Sequence, residues 1–232
     1  IKAVIVVHML GYPANIKNIL TLCKKKKIPV IEDTAWGLGG KIEKKYLGTF
    51  GRMGTFSFDY AKSITTGEGG MIVFNKKSDY VFAKEYHDHG HKNKKNIPRY
   101  KDGRNHPGFN YRMSEIQGAI GIEQLKKLNK IIKYQVTLAN MFKERLKHEK
   151  IEFFTHPKNS FPTYDAFCFL VDSRSRAIKI RKNLIKKNYA TKILPEASSW
   201  HFAGEWEHIE NINKKNLTKS KVILDRTVAL PL

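Results

Sequence analysis

Lys62 stands apart from the other lysines of this chain. It lies in the run Thr55-Phe56-Ser57-Phe58-Asp59-Tyr60-Ala61-Lys62-Ser63-Ile64-Thr65-Thr66-Gly67-Glu68-Gly69-Gly70, between an apolar strand-like segment and a glycine-rich turn. An amine at such a boundary is partly desolvated, which favours the neutral, nucleophilic form. A lysine that attacks carbonyls forms Schiff bases, the chemistry that pyridoxal phosphate requires of its protein. Upstream, Ile28-Pro29-Val30-Ile31-Glu32-Asp33-Thr34-Ala35-Trp36 reads as a buried parallel strand ending in a carboxylate. Ligands of open α/β sheets gather at the carboxyl ends of the strands, which puts Asp33 beside a ligand. A carboxylate there keeps a pyridine nitrogen protonated and the ring an electron sink. Taken singly, Lys62 reads as a surface lysine and Asp33 as a strand end. Together with Ser57, whose hydroxyl can donate to a phosphate, and the Gly-Glu-Gly-Gly turn, they favour the cofactor reading.

Other residues are candidates for substrate contact. Arg99, Arg104 and Arg112 have the guanidinium fork that grips a carboxylate or phosphate. His87, His89 and His91 alternate, but they fall at a helix-to-loop junction with Gly90, and no acidic or cysteine partner stands at ligand spacing. No metal is expected; substrate contact, at His89 first, or loop packing is. Trp200 and His201 are expected to border the pocket from a second domain.

The elements that must position these groups follow from periodicity. Residues 3–7 read as a strand, and 15–26 as a helix with Ile16, Ile19, Leu20 and Cys23 on one side. Residues 28–32 read as the next strand, giving a β-α-β unit with a right-handed crossover. Residues 54–58 and 71–74 read as strands around the lysine turn. Ser78-Asp79 is expected to cap a helix reaching Asp88, followed by a long loop over 89–110. A helix is expected from Ser114 to Lys147. Strands over 151–155 and 166–172 and a helix over 174–187 then form a small α+β domain.

Composition sets outer bounds. The 232 residues carry a formal net charge of +22, which would attract any polyanion. The lysines cluster at 24–27, 92–95, 126–133, 179–187 and 214–221, mostly on helix-like stretches as a solvated face. Without zinc-finger spacing, a helix-turn-helix or RNP-like aromatics, nucleic-acid binding is not expected. No apolar run reaches the roughly 20 residues that span a bilayer. Cys23 and Cys168 lie far apart in apolar contexts and read as buried free thiols of a reducing compartment.

Four blocks, Glu32-Asp33-Thr34-Ala35, Gly48-Thr49-Phe50-Gly51, Phe56-Ser57-Phe58 with Lys62, and Thr65-Thr66-Gly67-Glu68-Gly69-Gly70, resemble the DegT/DnrJ/EryC1/StrS sugar aminotransferase family. Gly108-Phe109-Asn110-Tyr111-Arg112-Met113-Ser114-Glu115-Ile116-Gln117 continues the likeness, which runs the length of the chain. The resemblance implies the fold of type I pyridoxal-phosphate-dependent transferases. Residues 1–130 would form part of a mostly parallel large domain, and 131–232 the linking helix and small α+β domain. It implies Lys62 as the catalytic lysine and Asp33 on the ring nitrogen of pyridoxal 5'-phosphate. It implies Ser57 on the phosphate, and Asn110 reaching the phosphate of a neighbouring subunit, hence a homodimer with shared sites. Trp36 is a departure, because the family usually places glutamine or histidine there, on the ring-hydroxyl side.

The implied activity moves an amino group from an amino acid, L-glutamate, to a keto or aldehyde sugar in cytoplasmic surface-polysaccharide or lipopolysaccharide biosynthesis. The run His87-Asp88-His89-Gly90-His91, Arg99 and Trp200-His201-Phe202-Ala203-Gly204 look most like the 8-amino-3,8-dideoxy-manno-octulosonate transaminase branch. The acceptor would then be 8-oxo-3-deoxy-manno-octulosonate; a nucleotide-linked 4-keto-6-deoxy sugar is the alternative. Family members extend further at the amino end, so the chain reads as a fragment lacking the first strands and a phosphate-binding turn. Three readings stand beside this one: a dehydratase on the same cofactor, against which Lys62 argues because those relatives usually carry histidine; an inactive truncated relative; and a polyanion-binding protein.

Overall fold

The computed structural model of the chain describes residues 1–209 and 217–232, with His201 described by its backbone alone. It contains two compact units, Ile1–Ile132 with His156–Thr163, and Lys133–Thr155 with Tyr164–Leu232. The first is built on four strands in the order β1 (Val4–Val7), β2 (Val30–Asp33), β5 (Met53–Ser57) and β6 (Gly70–Phe74). Strands β1, β2 and β5 run parallel, and β6 returns antiparallel to β5. Helix α1 (Ile16–Lys25) makes the β1-to-β2 crossover. Its apolar side, spaced at the helical period, closes a core of Val6, Ile16, Cys23, Val30, Ile42 and Leu47. Burying each large side chain of this set contributes about 1.5–3 kcal/mol.

Between β2 and β5 the chain makes a hairpin of β3 (Lys41–Ile42) and β4 (Lys45–Tyr46). Strand β8 (Ser160–Phe161) pairs with β3, and this pairing draws residues 156–163 into the first unit. The sequence division had put that segment beyond residue 131. Two-residue strands carry no readable alternation, so the periodicity could not reveal them.

Helix α2 (Lys77–Tyr86) corrects another expectation. Ser78-Asp79 does not cap it: Lys76 occupies the N-cap in an extended conformation with no side-chain cap bond. Asp79 is instead gripped by Arg52, with Nε–Oδ2 and Nη2–Oδ1 both at 2.6 Å. A tertiary charge pair has claimed the carboxylate that local capping would use. Ser114 does cap α3 (Glu115–Leu146): the Gln117 amide donates to Ser114 Oγ at 3.3 Å, and the Ser114 amide donates to Gln117 Oε1 at 2.9 Å. The two exchange orphan donors as a reciprocal box.

The second unit has an antiparallel sheet in the order β10 (Thr227–Pro231), β9 (Ala166–Leu170) and β7 (Glu152–Phe153). Phe142, Phe153 and Phe169 stack or tilt around fully buried Phe167. Helix α4 (Arg174–Lys186), capped by Ser173, packs on β10 and on α6 (Thr218–Arg226); a short α5 (Ser198–His201) precedes α6. The lysine run at 214–221 begins outside the described residues. Cys23 and Cys168 are buried and in no disulfide, one in each unit. Burial pushes the Cys168 thiol up to about 12. Among the described residues no helix is long and apolar enough to cross a membrane.

Candidate active site

Successive side chains of a strand point to opposite faces, so the adjacent carboxylates ending β2 part company. Glu32 turns inward and is fully buried. It accepts from the amides of Gly48 at 2.9 Å, Phe50 at 2.6 Å and Gly51 at 2.7 Å, and from His8 Nε2 at 3.0 Å. His8 Nδ1 accepts from the Ala14 amide at 3.0 Å, so the ring proton sits on Nε2 and a neutral imidazole donates to an ionised carboxylate. Burial pushes the Glu32 carboxyl up, but His8 and the amides of Gly51 and Gly48 outweigh it and hold the group below its ordinary range. This hub fastens the 48–51 loop and the end of β1 to β2.

Asp33 faces the other way, in register with Val7 on β1 and Thr55 on β5. Ser57, two residues beyond Thr55, shares that face. Asp33 Oδ1 accepts from the Ala35 amide at 3.0 Å. The chain then turns, with the Gly37 amide donating to the Thr34 carbonyl at 3.0 Å, and Trp36 sits within this turn.

The lysine turn joins β5 to β6. The Asp59 amide donates to Ser57 Oγ at 3.3 Å, the Ala61 amide to Asp59 Oδ1 at 2.9 Å, and the Lys62 amide to the Asp59 carbonyl at 3.1 Å. On the far side, the Thr66 amide donates to the Phe58 carbonyl at 3.0 Å, and Gln117 Nε2 from α3 donates to the Glu68 carbonyl at 2.7 Å. The backbone around Lys62 is thus tied down on both sides. Its side chain is half-buried, and Nζ stands 3.3 Å from the centroid of the Trp36 ring. The turns after β2 and β5 therefore bring Lys62 and Trp36 together at the strand ends that carry Asp33 and Ser57.

The remaining expected residues lie on the 87–112 segment, which is held by buried acids that sequence reasoning missed. Asp88 takes Arg99 in a bidentate pair, Nη1–Oδ2 at 2.9 Å and Nη2–Oδ1 at 2.6 Å, and also takes Arg112 Nη1 on Oδ1. Its carboxyl is held far below the ordinary range, with Arg99 the largest cause, burial opposing, and Arg112 assisting. Arg99 and Arg112, expected to meet a substrate anion, thus meet a protein carboxylate. Glu85 takes Asn105 and His106, and Asp102 faces His91 at 3.7 Å. His89 adopts φ 55° and donates its amide to the Phe109 carbonyl at 3.0 Å. Gly90, at φ 80°, is required, because a Cβ there would stand 1.7 Å from the His106 carbonyl oxygen. Asn110 is exposed; its backbone bridges to Asp88, and its Oδ1 accepts from the Arg112 amide at 3.4 Å. Arg104 is exposed and bridges to His91 through the backbone. Among the described residues no three metal-ligating side chains converge. In the second unit Trp200 is exposed, and the His201 side chain lies outside the described residues.

A mostly parallel sheet with an acid at one strand end and a lysine in the turn after the next is the large-domain arrangement of the type I pyridoxal-phosphate-dependent transferase fold. The solved structure of Helicobacter pylori PseC, an aminotransferase involved in the biosynthesis of pseudoaminic acid, superposes with a TM-score of 0.86 at 21% identity, over 99% of this chain and 61% of that one. The Escherichia coli GDP-4-keto-6-deoxy-D-mannose-3-dehydratase with bound hydrated PLP matches at a TM-score of 0.78 and 25% identity, over 99% of this chain and 62% of that one. The pattern of the DegT/DnrJ/EryC1/StrS aminotransferase family matches residues 1–232, and the chain belongs to that family. It is 33% identical to GDP-perosamine synthase of Escherichia coli O157:H7 over 192 residues, 82% of this chain and 51% of that protein. The chain spans about half the length of the curated relatives it matches.

Proposed function

We propose that this chain carries the lysine-bearing part of a pyridoxal-phosphate-dependent sugar aminotransferase. The observation that carries this reading is the meeting of Lys62 Nζ with Trp36, 3.3 Å from its ring centroid, in the turn that follows Asp33. The donor set suits the cofactor: an amine for its aldehyde, a carboxylate for its pyridinium, and a hydroxyl for its phosphate. When bound, pyridoxal phosphate supplies the electron sink for chemistry at the α-carbon of an amino acid. Asp33 would hold the ring nitrogen protonated: Ala35 occupies Oδ1, and Oδ2 is the acceptor left for a pyridinium N–H. Ser57 accepts the Asp59 amide, which leaves its hydroxyl proton for a phosphate oxygen. Lys62 Nζ would take the proton from the donor α-carbon and return it to the acceptor carbon as general base and then acid. Asn110 would serve a neighbouring subunit from its exposed position, in a homodimer.

The amino donor is read as L-glutamate. The acceptor is read as an anionic keto or aldehyde sugar of surface-polysaccharide or lipopolysaccharide synthesis, with 8-oxo-3-deoxy-manno-octulosonate first. GDP-perosamine synthase among the relatives supports the nucleotide-linked 4-keto-6-deoxy sugar as the second choice. His89, Arg99, Arg112, Trp200 and His201 remain the proposed substrate contacts; for the two arginines this requires sharing the guanidinium with Asp88. The dehydratase relatives keep deoxygenation as a rival outcome. The test uses the full-length protein with pyridoxal phosphate and L-glutamate, then each acceptor in turn. A lysine-bound visible band that glutamate discharges, and an amino-sugar product, are expected; both vanish in Lys62→Ala. A deoxygenated product without nitrogen, or turnover surviving Lys62→Ala, would overturn the assignment.

A further inference from the structure

Trp36 gives Lys62 an unusual partner. Five other lysine–aromatic contacts occur among the described residues, at 4.3–5.9 Å from nitrogen to centroid. The Lys62–Trp36 distance of 3.3 Å is the shortest of the set. Indole has the strongest π face for a cation, and the attraction grows as water is excluded. Both residues are half-buried.

The backbone of both turns is held in place. The Trp36 turn closes through Gly37, where an added Cβ would stand 3.2 Å from His8 Cβ and 3.2 Å from Thr34 Cγ2, so the turn is packed from beneath. The Lys62 turn is fixed by the bonds of Asp59 and Ala61 described above. The acidic groups borne by the neighbouring elements include Asp33 at the end of β2, Asp59 within the lysine's own turn, Glu68 before β6 and Glu115 in the first turn of α3. Of these, Asp33 and Asp59 each spend Oδ1 on a backbone amide.

We infer that Trp36 is a positioning residue for Lys62: its indole face is the resting place of the lysine ammonium whenever the amine is not engaged with a carbonyl. This rests on Lys62 being the nucleophile. A glutamine at this position would offer amide hydrogen bonds and no ring face. Trp36 adds a π face over which the ammonium rests 3.3 Å from the ring centroid, so it fixes where the side chain waits. Removing the ring while keeping bulk should release the side chain and leave its nitrogen more accessible to a reagent.

The experiment uses the full-length protein without cofactor, selectively labelled with 13C-lysine, as wild type, Trp36→Leu and Trp36→Phe. In the wild type the Lys62 ε-methylene protons should be shifted upfield by the indole ring current. Trp36→Phe should keep part of that shift and Trp36→Leu should lose it. Competitive acetylation at neutral pH, read by mass spectrometry on the Lys62 peptide, should run about two- to fivefold faster in Trp36→Leu, with Trp36→Phe between. Thermal melts establish that each variant is folded, and Trp36→Phe keeps the test decisive should Trp36→Leu unfold. A wild-type ε-methylene at an ordinary shift, or acetylation unchanged in both folded variants, overturns the inference. Neither readout needs transamination, so a parked lysine in a protein that fails to transaminate would sink the proposed function alone.

Discussion

Glu32→Gln tests whether the buried hub or the sheet itself holds β2 in place. Glu32 Oε1 accepts from Phe50 and Gly51, and Oε2 from Gly48 and His8. A glutamine must replace one of those oxygens with an NH2, which then faces two donors. His8 cannot relieve the clash by moving its proton to Nδ1, because Nδ1 already accepts from Ala14. Two charge-assisted hydrogen bonds are lost, at about 1.5–3 kcal/mol each, and the other two weaken with the charge. The expected destabilisation is about 3–6 kcal/mol, measured by urea unfolding of full-length wild type and variant followed by fluorescence. The acid limb supplies a second check. The folded-state value of Glu32 is lowered, so its contribution is complete above the unfolded value of about 4.3 and is lost as pH falls through the lower folded value. Wild-type stability should therefore fall across that acid window more steeply than that of Glu32→Gln. A loss below about 1 kcal/mol with an unchanged acid limb would refute the reasoning, because it would mean that the amides find other partners.

Gly54→Ala should unfold or strongly destabilise the first unit, by roughly 3 kcal/mol or more, since the new Cβ would stand 2.0 Å from the Gly48 carbonyl oxygen; a thermal melt within a degree or two of wild type would count against it. Asp88→Asn removes the charge that gathers Arg99 and Arg112, and limited proteolysis should then cut within 87–112 several times faster than in wild type; an unchanged cleavage pattern would show that Glu85 and Asp102 suffice. Cys168, fully buried with its thiol pushed up to about 12, should ignore a thiol-reactive disulfide reagent in the native protein at pH 8 and react only on unfolding; prompt native labelling at Cys168 would contradict its placement.

The strands and helix that carry the site were legible because their signals are local. The apolar run at 28–32, the helical spacing of Ile16, Ile19, Leu20 and Cys23, and the box formed by Ser114 and Gln117 each depend on neighbours within a few residues. The lysine turn was legible from its glycines. The role of Glu32 was not singled out, although a period of two places one of two adjacent strand carboxylates inside, where it must find donors. Its partners, His8 and the 48–51 amides, lie too far along the chain for any spacing rule. The same holds for Asp88, which looked like part of a histidine run and proved to be the anchor for two arginines from the following loop. Trp36 was recognisable as a departure, but its contact with Lys62 depends on two turns after two different strands.

The pair Glu32-Asp33 has a consequence for how the sheet finds its alignment. If β2 slid by one residue against its neighbours, the two acids would trade faces. Asp33, shorter by one methylene, would be driven toward amides spaced for glutamate, and the Glu32 charge would leave its only buried donors. The inward acid therefore acts as a proofreader for the outward one: the strand cannot settle with its chemistry misaimed without forfeiting the bonds that close the 48–51 loop. In this chain the acid we propose for the cofactor is kept in register by a neighbour that faces the other way.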